Sequence, residues 1–214
     1  MDSELAAHRN PVSISESVVS FHGYAPKGSP FILNRRHPTI EQYRYWVEHG
    51  EYSALLFDGS LLQLAYTVKD GELAGHRLAY VPCPYDVDQQ FVMGGDPLLE
   101  VIDLFYADAE PLLRTPVRMD FDPDSAKPGH PEVHLTINGS DCRIACVAPL
   151  HVLRFVSFVF EQFYPAYWRA HKGFFAPGHT RHVGPKKILE VEQIGLHLSW
   201  NVHATLADLG DGPA

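Results

Sequence analysis

Cysteine is scarce, with three residues in 214, which excludes a disulfide framework. Basic residues are outnumbered, 17 Lys and Arg against 26 Asp and Glu. The formal net charge of -9 excludes whole-surface attraction to nucleic acid or an anionic membrane, so any such contact must be a local patch. No apolar run approaches the roughly 20 residues that a membrane span needs. The opening stretch "MDSELAAHRNPVSISESVV" has early acids and no apolar core of signal-peptide length. A cytoplasmic location is expected, with a partly disordered segment over residues 1–30. GxxxxGK[ST], GxGxxG after a strand, HExxH, GxSxG and paired CxxC are all missing. P-loop ATPase, kinase, Rossmann dehydrogenase, zincin and α/β-hydrolase readings are therefore poor. Gly94-Gly95 precedes a helix, but "MGGDP" puts an aspartate where a phosphate would go.

What is present suffices for one domain, expected over residues 31–204, with a flexible tail at 205–214. Hydrophobic residues make up 45% and charged residues 20%, enough to build a core without staples. Thr39 and Gln42 have capping-box spacing ahead of a helix from Ile40 to His49. Its apolar stripe is Ile40, Tyr43, Trp46 and Val47, and Gly50 stops it. Asp58-Gly59 and Asp70-Gly71 lie between apolar runs, a strong hairpin signal. Three antiparallel strands are expected: Ser53–Phe57, Leu61–Lys69 and Leu73–Val81. Asp96-Pro97 opens a second helix to about Ala107, with Asp96 as N-cap. "VRMDFDP" is a strand with Val117, Met119 and Phe121 on one face and Arg118, Asp120 and Asp122 on the other. "APLHVLRFVSFVFEQFYPAYW" is a nearly all-round apolar helix whose polar stripe is His151, Arg154, Ser157 and Glu161. Such a helix packs deeply, across the apolar face of the sheet. "QIGLHLSWNVH" alternates as a final strand. The class is α+β, a mainly antiparallel sheet of hairpins with a buried helix packed on one face.

The richest chemistry lies in "GHPEVHLTINGSDCRIAC". A strand from His130 to Ile137 puts His130, Glu132 and His134 on one face. Asn138-Gly139 is read as a two-residue turn, placing Thr136 opposite Asp141 and His134 opposite Arg143. Arg118 and Asp120 reach the same side from the preceding strand. Cys142 and Cys146 share the opposite, apolar face and are read as buried core thiols. They lie roughly 13 Å apart along a strand, too far for a bridge.

Three readings of that polar face stay open. One is a solvated sheet face with cross-strand ion pairs. Another is acid/base chemistry on phosphodiesters, with His130 and His134 as proton carriers and Arg143 holding a phosphate. The third is a metal held by His and Glu with Asp120. His130 and His134 would lie roughly 13 Å apart on a straight strand, so no shared ion, and no metal or other cofactor, is expected. A late loop gathers His171, His179 and His182 with Lys172, Arg181, Lys186 and Lys187. It is the one basic cluster of the acidic chain, either an anion-binding or a solvated loop.

"GHRLAYVPCP", "HPEVHLTINGSDCRIACVAPL" and "HLSW" together resemble an uncharacterised bacterial family, a domain of unknown function. The family is marked by "HRLAY-x-P-x-P" and "HP-x-x-H" motifs. The resemblance runs from about Ala54 to Trp200. It brings no assigned activity. It implies an association with phage-defence or mobile loci, and points at His76, Arg77, His130, His134 and Arg143. The chain departs from the pattern at Thr136, where a further polar or histidine side chain is expected, and at Ala145, where proline is expected.

The function expected on these grounds is that of a small cytoplasmic component of a bacterial defence or mobile-element system. It would act on nucleic acid or nucleotides through the His/Arg sheet face. His130, His134 and Arg143 are the catalytic candidates. His76, Arg77, Arg118, Asp120, Lys172, Arg181 and Lys186 are the binding candidates. The alternative is a non-catalytic binding or regulatory subunit of a multiprotein complex. A protein partner encoded nearby is expected, and no membrane contact.

Overall fold

Turns and alternation build the sheet almost strand by strand. The structure, a computed structural model, describes residues 5–15, 18–20, 40–137, 142–175 and 185–199. Three short strands come first: β1 (Ala6–Arg9), β2 (Ser13–Ser15) and β3 (Val18–Ser20). They fall inside the stretch that the sequence leaves as a partly disordered segment. Helix α1 (Ile40–Glu48) follows, and buries Tyr43 and Trp46 from its apolar stripe. Thr39, the expected cap, lies outside the described residues.

The meander is β4 (Ala54–Leu56), β5 (Leu61–Lys69) and β6 (Glu72–Val81). Asp70 and Gly71 have φ of 52° and 80°, the left-handed pair that a two-residue type I′ hairpin demands. Lys69 accordingly pairs with Glu72. The Asp58 carboxylate fixes the other turn by accepting from Ser60 N at 3.0 Å and Ser60 Oγ at 3.1 Å. Helix α2 (Gln89–Gly94) was not expected; Asp88 caps it by accepting from Gln90 N. Helix α3 (Leu98–Phe105) begins one residue later than expected, with Pro97 rather than Asp96 at its N-cap.

Strands β7 (Val117–Phe121), β8 (Val133–Ile137) and β9 (Arg143–Cys146) extend the sheet antiparallel. The start of β8 and its pairing with β9 differ from the expected strand and turn. Strand β8 starts at Val133, because the chain turns at Lys127–His130, where Gly129 has φ 77° and His130 N–H bonds back to the Lys127 carbonyl at 2.8 Å. The β8–β9 register is slipped by two residues from the expected one. Thr136 pairs with Arg143 and His134 with Ala145. The expected two-residue turn is incompatible with this register; residues 138–141 themselves lie outside the described residues. A slip of two preserves every side chain's face, so the polar and apolar sets stand as expected.

The long apolar helix is two helices, α4 (Val152–Phe163) and α5 (Pro165–Ala170). Pro165 has no N–H to donate and disfavours helical backbone at the residue before it, and Tyr164 sits at φ -133°, ψ 55°. Ser157, expected on a polar stripe, is buried and accepts from Trp168 Nε1 at 3.2 Å. The final stretch is not one strand. Helix α6 (Glu190–Ile194) precedes the two-residue β10 (His197–Leu198), which pairs parallel with β9.

Among the described residues the main path of the sheet runs β1-β4-β5-β6-β7-β8-β9-β10, with the β2–β3 hairpin joined at β5. One face carries Leu62, Leu64, Leu78, Met119 and Leu135 and packs on Phe155, Val159 and Phe160 of α4. The other face packs Leu61 and Val81 on α1, α2 and α3 at the β4–β6 end. The result is a single α+β domain whose sheet is mainly antiparallel. Cys83 and Cys146 are buried, whereas Cys142, expected in the core, is exposed. The expected tail at 205–214 lies outside the described residues.

Candidate functional site

Beyond the β4–β6 end, the second face of the sheet is polar. Pairing places Arg77, Asp120, His134 and Ala145 in one row across β6 to β9. The next row holds Ala79, Arg118, Thr136 and Arg143. Period-two alternation keeps both rows on one side.

Asp120 is the centre of the charge arrangement. Its Oδ1 accepts from Arg77 Nε at 3.0 Å and its Oδ2 from Arg118 Nε at 2.6 Å. His134 Nε2 stands 3.5 Å from the same Oδ2. Burial pushes the Asp120 carboxyl up, but His134, Arg118 and Arg77 outweigh it and hold the group well below the usual carboxylate range. His134 is 1% exposed, and its Nδ1 donates to the Pro131 carbonyl at 2.8 Å. A carbonyl only accepts, so that hydrogen bond fixes a proton on Nδ1. The two arginines are more open, with side-chain exposures of 32% for Arg77 and 15% for Arg118.

His130 reaches the same place from outside the strand. The turn before Pro131 folds it back, so its ring stands edge-on to that of His134 with centroids 4.7 Å apart. The straight-strand separation of roughly 13 Å does not apply to these rings. Burial, His134 and Arg143 together push the His130 pKa down. Glu132, expected beside the histidines, instead pairs with Lys187 at 3.0 Å, and Lys187 lies over the Phe121 ring. Among the described residues no group of three His, Cys, Asp or Glu is arranged to hold a metal ion.

Not every candidate from the sequence belongs here. His76 pairs with Phe121 and so faces the opposite, apolar side of the sheet. Its Nε2 accepts from Leu150 N at 3.0 Å, beside Tyr66, whose hydroxyl donates to the Leu150 carbonyl at 2.8 Å. Burial lowers its pKa to about 4. His76 is thus a clamp on the chain entering α4. Two described lysines of the late basic cluster are engaged elsewhere. Lys172 lies over the Trp168 ring and Lys186 donates to Gln193, and neither shares a contact with Arg77, Arg118 or Asp120. Arg181 lies outside the described residues.

The residue that the sequence undervalued is Thr136. It reads there as a departure from a pattern, yet it lies two positions from His134 on the same face. It is 5% exposed, and its hydroxyl has no hydrogen-bond partner. The signal was its position between Arg118 and Arg143, which the slipped register concealed.

Neither the curated proteins nor the solved structures contain a match to this chain. A family model described as "Uncharacterized conserved protein (DUF2290)" matches residues 5–200, well beyond the span of the resemblance, and the chain belongs to that family.

Proposed function

We propose that the chain binds phosphate-bearing ligands, nucleotide or nucleic acid, through Arg77, Arg118 and Arg143. The observation that carries this reading is the double use of Asp120. One carboxylate takes a single Nε–H from each of two guanidinium groups. Among the described residues no acceptor takes the Nη groups of either arginine. A guanidinium anchored at Nε keeps its planar Nη edge pre-organised, the geometry that matches phosphate oxygens. A chain of net charge -9 has no global pull on nucleic acid, so recognition rests on a local site of this kind.

The geometry favours binding over turnover. A general base needs a free lone pair within reach of the substrate proton. His134 is buried, with Nδ1 on Pro131 and Nε2 beside Asp120, which makes it a positioning residue for the carboxylate. Of the two histidines among the catalytic candidates, half-buried His130 is the one open to a ligand. The setting is the bacterial cytoplasm, and the link to defence or mobile loci is what the resemblance implies.

The test is equilibrium binding of a short single-stranded oligonucleotide and of mononucleotides to the purified chain. Arg77→Ala and Arg118→Ala each weaken binding about tenfold or more, as expected for loss of a charge-assisted contact. Unchanged affinity in both variants ends the reading. Nuclease activity that His134→Ala abolishes without unfolding the chain restores catalysis through the histidines.

A second reading, a regulatory subunit docked on a partner protein, draws on a separate observation. Leu104 and Phe105 are exposed side by side in the chain, and Phe105 stacks on Phe91 at 4.9 Å. Exposed apolar clusters of this sort mark contact surfaces. Stable co-purification with a neighbouring gene product, lost in Phe105→Ser, is the result that supports it.

A further inference from the structure

We infer that the group seated on the arginine face is a terminal phosphate, a phosphomonoester, with the Thr136 hydroxyl as its donor between Arg118 and Arg143. This rests on the reading that the face binds phosphate, and narrows it to one kind of phosphate.

Thr136 carries a buried hydroxyl that has nothing to bond. Thr136 lies in the middle of the sheet, and its Oγ1 is shielded from solvent with no partner. Its direct neighbours across β7 and β9 are Arg118 and Arg143, on strands about 4.8 Å away on either side. Both are cations, and neither can accept its proton. A buried hydroxyl left unbonded is a standing penalty that valine, of the same shape, avoids. A ligand oxygen placed between the two arginines accepts from all three side chains at once. His130 supplies a second unbonded buried atom at the same place. Its Nδ1 has no partner, and its ring lies within electrostatic range of Arg143 and against His134.

Depth and charge then select the kind of phosphate. The hydroxyl is shielded from solvent and flanked by the longer side chains of Arg118 and Arg143. An internal phosphodiester carries a sugar on each side and cannot descend there without burying both. A terminal phosphate is tethered on one side and presents three free oxygens. It also carries about -1.5 to -2 charges near neutral pH, whereas a diester carries one. Arg118 and Arg143 flank the Thr136 hydroxyl, and a dianion interacts more strongly with such cations than a monoanion does.

Two sources supply such a group, a free nucleotide and the 5′ end of a nucleic acid. The experiment uses one 3′-labelled single-stranded oligonucleotide in 5′-phosphate and 5′-hydroxyl forms, with AMP and adenosine as competitors. The wild-type chain is expected to prefer the 5′-phosphate by about tenfold or more, the scale of one charge-assisted hydrogen bond. Thr136→Val is expected to lose most of that preference while melting at the same or a higher temperature. Arg143→Ala is expected to lose it as well. Displacement by AMP but not adenosine assigns the seat to nucleotides; displacement by the unlabelled 5′-phosphorylated oligonucleotide alone assigns it to nucleic-acid ends. Equal binding of the two oligonucleotides, with Arg77→Ala and Arg118→Ala still weakening both, overturns the terminal-phosphate inference and leaves the proposed function standing. Binding of neither form, nor of AMP, overturns both.

Discussion

Arg118 donates its Nε to Asp120 at 2.6 Å from two residues away on the same strand. An extended segment has thereby folded an ion pair onto one of its own faces, and Arg77 closes it from the next strand. Asp120→Asn keeps the shape but leaves the surrounding cations without their anion. It is expected to cost about 3 kcal/mol near neutral pH, measured by urea denaturation. The sign with pH follows from the lowered carboxyl. Its contribution is present above the ordinary carboxylate range and fades as pH falls through it toward the lower folded value. Wild type should therefore lose more stability than Asp120→Asn between about pH 5 and pH 3. Parallel acid limbs for the two proteins would contradict this assignment.

His76 sets a second acid limit, from the other face. Its folded pKa of about 4 lies below the ordinary histidine value near 6.5. The unfolded chain therefore takes up the proton first. Stability from keeping His76 neutral is complete above about pH 6.5 and falls as pH drops toward 4, by about 3 kcal/mol at most. His76→Gln, which can keep an acceptor near Leu150 N, is expected to flatten the stability profile across that window. A profile as steep as the wild type's would show that the titration belongs elsewhere.

The packing of α4 is tested by truncation. Phe155 and Phe160 are fully buried against the sheet. Replacing either with alanine should cost about 3–5 kcal/mol. Wild-type-like thermal melts of both variants would mean that α4 does not pack as described.

The cysteines differ in access. Cys142 is exposed, while burial pushes the thiols of Cys83 and Cys146 up to about 11 and about 12. One thiol per native chain should react quickly with a maleimide at mild pH, and Cys142→Ser should abolish that phase. The other two should label only after denaturation. Fast labelling of two or more native thiols would place Cys83 or Cys146 nearer the surface.

Local rules carried much of this fold into the sequence, and their failures share a cause. Asp70-Gly71 is legible because only a few residues tolerate two successive left-handed conformations. Alternation in "VRMDF" assigns faces without knowledge of the partner strand. Register is different, because it depends on how many residues the connection consumes. Asn138-Gly139 has the composition of a tight turn, yet Thr136 pairs with Arg143. Face identity survives a slip of two; identity of the opposite neighbour does not. Hence Arg118, Asp120 and His134 are found together as expected, while Thr136 is hidden. His130 is misplaced for a second reason. The left-handed Gly129 turn and Pro131 end the strand early, and only the folded chain shows His130 returning over His134. Helix α6 escaped because five residues are too few for a helical period to show, and its last two, Gln193 and Ile194, open the alternating stretch that reads as a strand.

The parallel pairing of β10 with β9 bears on the order of assembly. Strands β4 to β9 join neighbours in the chain through short connections, except between β6 and β7, where α2 and α3 intervene. His197 meets Ala145 after about fifty intervening residues, across α4, α5 and α6, and a closure of that length is entropically slower. The meander can form while this edge is still open, and only two residues hold the edge once it is shut. Amide protons of Leu64 and Leu78 should then exchange only with global opening, and the Val147 amide, bonded to Leu198 at 3.0 Å, well before them. The row that begins at Arg77 thus has a firm end in the meander and a latch at His197 that closes last and opens first.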